Sequence, residues 1–487
     1  MRHYLAFDLG AESGRAMLGT VAEGKVAVEE LHRFPNTPVR VLNALYWDTL
    51  RLWHEIQRGL TIAGRERHLK LDGIGIDTWG VDFGLLGVDG ALADNPRHYR
   101  DARTNGVMEK LFAVVPREEV FAQTGIQFMQ LNSLYQLYAL KLANSPALAA
   151  ARTLLFIPDL LNYWLTGVAR SELTIASTSQ FYDPRRKTWA RDLLERLGLP
   201  VNILPEIVPP ATLLGRLLES VGEAAGLGPV PVYATGCHDT ASAVAAVPAQ
   251  GKNWCYISSG TWSLMGAELD EPIINDQSLA HNMTNEIGAA GKVRFLKNIA
   301  GLWLLQECRR AWALDGAEYS YEELARMAQE APPCRAVINP DAFLEPGDMP
   351  RKIAAHCRST GQQPPATPAE YTRTILESLA FRYRQVLEIM EELIGRRFEM
   401  IHIVGGGSRN TLLNQLVADV TGRVVIAGPS EATAIGNVLI QAMAAGELGG
   451  LEEARALVRA SFAPEEYSPR ADWNEAYAKY LSISAAN

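Results

Sequence analysis

Two stretches of this chain, far apart, share one layout. "YLAFDLGAESGRAMLGTV" starts at residue 4 and "NWCYISSGTWSLMGAEL" at residue 253. Each reads as a short apolar strand, a tight loop of small and hydroxyl residues sized for a phosphate, and a second strand. The layout repeats although the residues do not. A unit of this kind at the front of each half restricts the chain to two α/β halves of related design. A length of 487 residues agrees, since domains run to roughly 100–200 residues. The expected halves are 1–244 and 245–487.

The remaining pattern fits between these anchors. "GRAMLGTV" and "VAVEELHRF" continue the first strand into a β-meander, and "LWHEIQRGLTIAGRE" has helical periodicity. "DGIGIDTWGVDFGLLGVDGAL" returns to strands, with Asp89-Gly90 as a hairpin turn. Residues 102–170 read as mostly helical, punctuated by Pro116, Pro146 and Pro158. Near residue 230, "PVYATGCHD" is a strand that runs into small residues. "EMIHIVGGGSRN" is a strand, three glycines and a helix start. Phe7, Tyr233 and Trp303 are expected in the core.

Composition excludes several function classes. A net charge of −9 without a dense Lys/Arg block disfavours a nucleic-acid partner, because Lys and Arg carry affinity for phosphate backbones. Five scattered cysteines without a C-x-x-C pair predict reduced thiols in a cytoplasm rather than disulfides or a zinc site. No apolar run is long enough to cross a membrane. "MRHYLAFDLG" is not expected to be a signal peptide, because Asp8 interrupts its apolar run.

The chemistry-bearing candidates lie in the loops. In Asp8-Leu9-Gly10-Ala11-Glu12-Ser13-Gly14-Arg15, the glycines let backbone N–H groups turn toward an anion, and Ser13 and Arg15 add donors. Asp8, at a strand end, is a candidate for holding hydrated Mg²⁺. A plain hairpin with a surface ion pair is the competing reading. Ser258-Ser259-Gly260-Thr261 has the same character, and Gly405-Gly406-Gly407 leaves a buried strand where a ligand can come close.

Other motifs mislead. Asp82-Phe83-Gly84 and Ala463-Pro464-Glu465 match protein-kinase triplets, but no H-R-D-L-x-x-x-N precedes the first. No Gly-Lys pair is followed by Ser or Thr, so there is no Walker A loop, and the triple glycine does not make G-x-G-x-x-G. Cys237 and His238 are neighbours on a strand and so face opposite ways, which argues against a Cys–His nucleophile. Asp239 follows them. It either caps a helix "TASAVAAV" or acts as a base beside a hydroxyl, and the two roles are compatible.

Taken together, "DLGAESGR", "GIGIDTWGVDF", "YRDARTNG", "GIQF", "LYQL", "HDTASAV", "YISSGTWSLMG", "LKNIAGLWLLQ", "INP", "HIVGGGSRNTLLNQL" and "AGPSEATAIGN" resemble the FGGY carbohydrate kinases, in order, from residue 8 to about 437. The resemblance implies an actin-like, hexokinase-like ATPase fold of two ribonuclease-H-like α/β domains flanking a cleft. It also implies transfer of phosphate from ATP to a ketose, in the presence of Mg²⁺. By motif, Ala11, Glu12, Ser13, Gly14 and Arg15 are expected at the ATP phosphates, with Thr261 in a second phosphate loop. Gln306 and Gly406 are expected against the nucleotide. Gly80, His238, Asp239, Thr240 and Asn298 are expected to line the sugar pocket, with Asp239 the proton acceptor. Glu12 departs from the family pattern, where Ser or Thr is common, and its charge has to be offset by Arg15 or Mg²⁺. "NSLYQLYALK" stands where relatives acting on xylulose or glycerol often carry Lys-and-Trp sequences. It favours the branch acting on L-rhamnulose, with L-fuculose and L-xylulose as alternatives.

Overall fold

The structure, a computed structural model, describes residues 1–484, so the end of the half expected at 245–487 lies outside the described residues. The chain forms two compact units. One contains residues 1–248, 268–295 and 431–461; the other contains 249–267, 296–430 and the chain from 462 onward. The first crossing, after Pro248, lies close to the expected boundary. Segments 268–295 and 431–461 return to the first unit, and no shift in composition announces them.

The first unit is built on a sheet. Its meander, Arg2–Leu9, Ser13–Ala22 and Lys25–Pro35, is antiparallel, as the alternation of turns and apolar runs requires. Gly73–Thr78 pairs parallel with Arg2–Leu9, and Pro231–His238 pairs parallel with Gly73–Thr78. Strands in such a position are covered on both faces and read as near-continuous apolar runs. All six residues of Gly73–Thr78 are buried. Alternate residues Gly73, Gly75 and Asp77 share one face, and the helix Ala432–Ala444 lies there. A methyl group at Gly73 would stand 2.8 Å from Gln441 Oε1, and one at Gly75 would stand 2.7 Å from Asn437 Oδ1. The glycines of "GIGID" therefore admit the polar side chains of a helix found some 360 residues later.

Leu5, Phe7, Trp47, Ile56, Ile74 and Ile76 form one core of this unit. A second gathers Phe121, Tyr135, Leu154, Phe156 and Phe181 from the helical stretch after residue 102. The prolines that punctuate this stretch stand at helix starts: Pro116 caps Arg117–Thr124, and Pro146 and Pro158 sit in the first turns of theirs. Thr153–Phe156 is a strand that the helical reading of 102–170 passed over.

The second unit repeats the opening move. Trp254–Ser259 pairs antiparallel with Trp262–Leu269 and parallel with Met400–Val404, which pairs parallel with Val424–Ala427. Its first turn closes like that of the first unit: Gly260 N–H donates to Trp262 O at 2.8 Å, and Gly10 N–H to Ser13 O at 2.9 Å. Trp303, expected in the core, is only partly buried, at the start of the helix Trp303–Leu314. Among the described residues no helix is long and apolar enough to cross a membrane.

Candidate active site

Three adjacent parallel strands of the first unit have an acidic group at or just past their carboxyl ends. Asp8 is the penultimate residue of Arg2–Leu9 and Asp77 that of Gly73–Thr78, and the two aspartates are partners in register. Pro231–His238 ends at His238, paired with Thr78, and Asp239 follows. The carboxyl ends of parallel strands are where α/β folds place ligands. The topology thus accounts for why chemistry-bearing residues occur in these loops.

Asp8 is 7% exposed and faces Arg15 across the antiparallel pair. Arg15 donates to Asp8 and to Glu431, so one cation is held between two carboxylates. The loop between them is fixed by Asn36, whose N–H donates to Glu12 O and whose Nδ2 donates to Gly10 O, both at 2.9 Å. Gly14 is glycine because a side chain would strike the Phe34 ring, 2.3 Å away. Glu12 is exposed, while Ala11, Ser13 and Arg15 are partly buried.

Asp77 is wholly buried. Its Oδ2 accepts from Asn437 Nδ2 at 2.5 Å, and its Oδ1 finds no hydrogen-bond partner among the described residues. Burial, then the Asp8 charge, pushes its carboxyl well above the usual range. Asp239 titrates high as well: desolvation raises it, His238 opposes, and Asp8 raises it further. Two carboxyls biased toward protonation beside Asp8 make a site short of positive charge. This fits hydrated Mg²⁺, which is held by one or two carboxylates plus substrate phosphates rather than by a protein cage. Consistently, the described residues contain no ready-made cluster of three metal-binding side chains.

The helix Asp239–Ala245 settles how Asp239 sits. His238 occupies the capping position but does not cap through its side chain, and Asp239 is the first helical residue. Its Oδ1 accepts from its neighbour Thr240, through N–H at 2.6 Å and Oγ1 at 3.2 Å. A cap reaches the second or third residue beyond it, so Asp239 is not one. Its side chain remains 30% exposed. Upstream, Glu172 accepts from the N–H of Thr174, Ile175 and Cys237, and Thr174 Oγ1 accepts from His238 N–H at 3.1 Å. These bonds fix the strand end that presents His238 and Asp239. Cys237 faces inward and is wholly buried. Burial and the nearby Glu172 push its thiol up, so it is not a nucleophile.

Gly80 lies beside this pair: a methyl group there would stand 3.4 Å from Thr178 Oγ1 and 3.5 Å from His238 Nε2. The next residue, Val81, has φ +71°, a strained value for a β-branched side chain, costing about 1–3 kcal/mol. Thr178 Oγ1 accepts its N–H, and Ser133 Oγ donates to its carbonyl. Asp82 anchors the far side, accepting from Trp47 Nε1, Trp79 Nε1, Tyr99 N–H and Gln136 Nε2 at 2.5–3.2 Å. Asp82, which looked like part of a protein-kinase motif, is the clamp that holds this strained loop.

In the second unit Gln306 Nε2 donates to Thr261 Oγ1 at 3.1 Å, and Trp303 N–H donates to Thr261 O at 3.0 Å. The second loop is thereby tied to the first turn of Trp303–Leu314. Asn298 lies partly buried on the strand Val293–Ala300. The three glycines divide in role. Side chains at Gly405 and Gly407 would meet Ser259 at 3.0 and 2.0 Å, whereas at Gly406 no atom lies within 4 Å. The outer two serve packing, and the middle one faces open space.

Sequence reasoning passed over Asp77, Glu431, Asn437, Glu286 and Arg294. Asp77 had a visible signal: like Asp8, it ends an apolar strand. The others lie in segments that join the first unit only through the fold.

Residues 3–246 match the N-terminal domain, and 255–445 the C-terminal domain, of the FGGY family of carbohydrate kinases. The chain is 47% identical to a rhamnulokinase of Bacteroides thetaiotaomicron over 480 residues, 98% of each chain. It is 42% identical to one of Oceanobacillus iheyensis, covering 94% of this chain and 96% of that one. Solved structures share the fold at low identity. A gluconate kinase of Lactobacillus acidophilus superposes with TM-score 0.80 at 16% identity, covering 100% of this chain and 96% of the other. A Plasmodium falciparum glycerol kinase with ADP gives 0.79 at 13%, covering 100% and 97%. With both halves matched and relatives aligned end to end, this chain belongs to the FGGY family of carbohydrate kinases.

Proposed function

We propose that this chain transfers the γ-phosphoryl group of ATP to the C1 hydroxyl of L-rhamnulose, giving L-rhamnulose 1-phosphate and ADP. The sugar assignment rests on the near-full-length similarity to rhamnulokinases. One observation carries the mechanism: a part-exposed Asp239 that caps nothing stands at strand ends beside Asp8 and His238.

Phosphoryl transfer passes through a loose transition state, so the protein chiefly positions groups and neutralises charge. Mg²⁺, which Asp8 would hold through water, supplies charge neutralisation on the triphosphate. Asp239 accepts a hydrogen bond from the C1 hydroxyl and aims its oxygen at the γ-phosphorus. It takes the proton as the new P–O bond forms, since an aspartate is too weak a base to strip an alcohol beforehand. Its raised proton affinity makes it a stronger base than a free aspartate. Gly80, His238, Thr240 and Asn298 contact the sugar. The loop Ala11 to Arg15 and Thr261 bind the phosphates, and Gln306 and Gly406 the nucleoside. In this reading residues 1–244 carry the first phosphate loop and the sugar site apart from Asn298, and 245–487 the second loop and adenosine site. A cytoplasmic location fits the cysteines, all free thiols, and the net charge of −9 offers nothing to nucleic acid or an anionic membrane.

The open space at Gly406 gives a test. Gly406→Val extends into it, since beyond the two flanking glycines nothing lies within 4 Å of a side chain's first carbon. Calorimetric affinity for ATP is expected to fall at least tenfold while the melting temperature is unchanged. Wild-type affinity would remove Gly406 from the nucleotide site. The activity itself is tested by ADP release that depends on added L-rhamnulose.

A further inference from the structure

A buried charged pair stands behind His238. Arg294, on the strand Val293–Ala300, is 0% exposed, and Glu286, on Thr284–Ile287, is 4% exposed. Arg294 Nε donates to Ile287 O at 3.2 Å. Its Nη2 lies 3.2 Å from Glu286 Oε2 and 3.0 Å from His238 Nδ1. Glu286 Oε2 is also 3.3 Å from His238 Nδ1. On the other side of the ring, Nε2 lies 3.5 Å from Asp239 Oδ1. Among the described residues, Arg294, Glu286 and Asp239 are the charged groups seen facing the imidazole.

Glu286 Oε2 and Arg294 Nη2 pull the imidazole proton opposite ways, and the shorter contact, to Arg294, favours one placement. A guanidinium has donors only and never deprotonates in a protein. An Nδ1–H at 3.0 Å from Arg294 Nη2 would set donor against donor. Nη2 has two hydrogens, enough for Glu286 Oε2 and the lone pair of Nδ1 together. The proton of a neutral His238 then lies on Nε2, on the side of Gly80 and Asp239.

We propose that Arg294 is a positioning residue that fixes His238 as the neutral Nε2–H tautomer, so that His238 donates to the sugar oxygen next to the hydroxyl that Asp239 deprotonates. In a 2-ketose that oxygen is on C2, an acceptor both as carbonyl and as ring-form hydroxyl. Donor and base at 3.5 Å reach oxygens on neighbouring carbons of one substrate. Neutrality matters as much as direction, because an imidazolium beside Asp239 would pair with it and weaken it as a base. The inference deepens the kinase reading and rests on it for the identity of the sugar.

The test begins with long-range ¹H–¹⁵N spectra of the wild-type protein, His238 being assigned by its loss in His238→Gln. No sugar is needed, so the result is independent of which ketose is used. In the neutral ring, Nδ1 is expected unprotonated and Nε2 protonated. In Arg294→Met the cation is gone and Glu286 remains, which favours the imidazolium. The acid limb of kcat/KM for L-rhamnulose should then move up by at least one pH unit, with a 10- to 100-fold loss near pH 6.5 and recovery above pH 8.5. Binding of ATP should be unchanged, and Arg294→Lys should restore part of the activity. Glu286→Gln, a second variant should the first fail to fold, is expected to keep the Nε2–H tautomer and move the acid limb down. An Nδ1–H tautomer or an imidazolium in the wild type at pH 7 overturns the proposal, as does loss of the Nε2–H tautomer in Glu286→Gln. Failure of the wild type to phosphorylate L-rhamnulose would instead strike the assignment of function and leave the tautomer result standing.

Discussion

Asp239→Asn is expected to lower kcat for sugar-dependent ADP release by roughly 10²–10⁴-fold, the usual worth of a general base. The amide keeps the size and one acceptor for Thr240 N–H, but it cannot take a proton. ATP affinity should hold, because the nucleotide contacts are assigned to other loops. Stability should hold or rise. The carboxyl of Asp239 has a folded-state pKa raised above its ordinary value, mainly by desolvation. The folded protein therefore pays for the ionised form, and that cost is present above the raised pKa and absent below about pH 3.9, the unfolded value. Asparagine removes it, so at pH 8 the variant should melt no lower than wild type. The same shift keeps the contribution of Asp239 to the acid limb of wild-type kcat/KM, which it shares with His238, above the ordinary carboxylate range. Near-normal turnover would end the base assignment, and a large loss of melting temperature would return Asp239 to a structural role.

Gly436→Ala should produce the largest loss of stability. A methyl group there would stand 1.8 Å from Ser242 O and 2.5 Å from Ser242 C. Those are backbone atoms of the buried helix Asp239–Ala245, crossed here by Ala432–Ala444. Backbone cannot rotate away as a side-chain tip can, so the helices have to part. Overpacking costs about 1–3 kcal/mol and sometimes more; at the upper end the melting temperature of a protein of this size falls by about 3–5 °C. One helix begins with Asp239. The other follows Glu431, the partner of Arg15, and carries Asn437, the partner of Asp77. Turnover should therefore fall even at temperatures where the protein is fully folded. Unchanged melting, within a degree of wild type, would mean the two helices do not touch as described. The contrast with Gly406→Val is informative: both replace a glycine, but only Gly436 has protein atoms in the way.

The paired strand–loop–strand units were legible because strand periodicity and Gly-rich turns are local signals. Asp8, the first loop and the triple glycine were legible for the same reason. The segments 268–295 and 431–461 were not. Their membership of the first unit is fixed by contacts such as Gly436 on Ser242 and Asn437 on Asp77, across some 200 and 360 residues, and no periodicity encodes them. Asp82 was excluded as part of a protein-kinase motif, but its role was not legible, because a three-letter motif says nothing of its partners; four donors converge on it. For Asp239 the sequence left cap and base open together. The helix start separated them, since His238 occupies the capping position and Asp239 follows it. The Arg294–Glu286 pair was invisible because it meets His238 only through the returning segment.

The most direct measurement is product formation with a panel of ketoses, using purified protein, ATP and Mg²⁺. Initial rates of ADP release are read for L-rhamnulose, L-fuculose and L-xylulose, and the phosphorylated sugar is identified by ³¹P NMR. The account predicts the highest kcat/KM with L-rhamnulose. It also predicts a product phosphorus coupled to the two protons of a methylene carbon, as phosphorylation at C1 requires. ADP release that ignores the sugar, a clear preference for another ketose, or phosphate on a carbon bearing a single proton would contradict it.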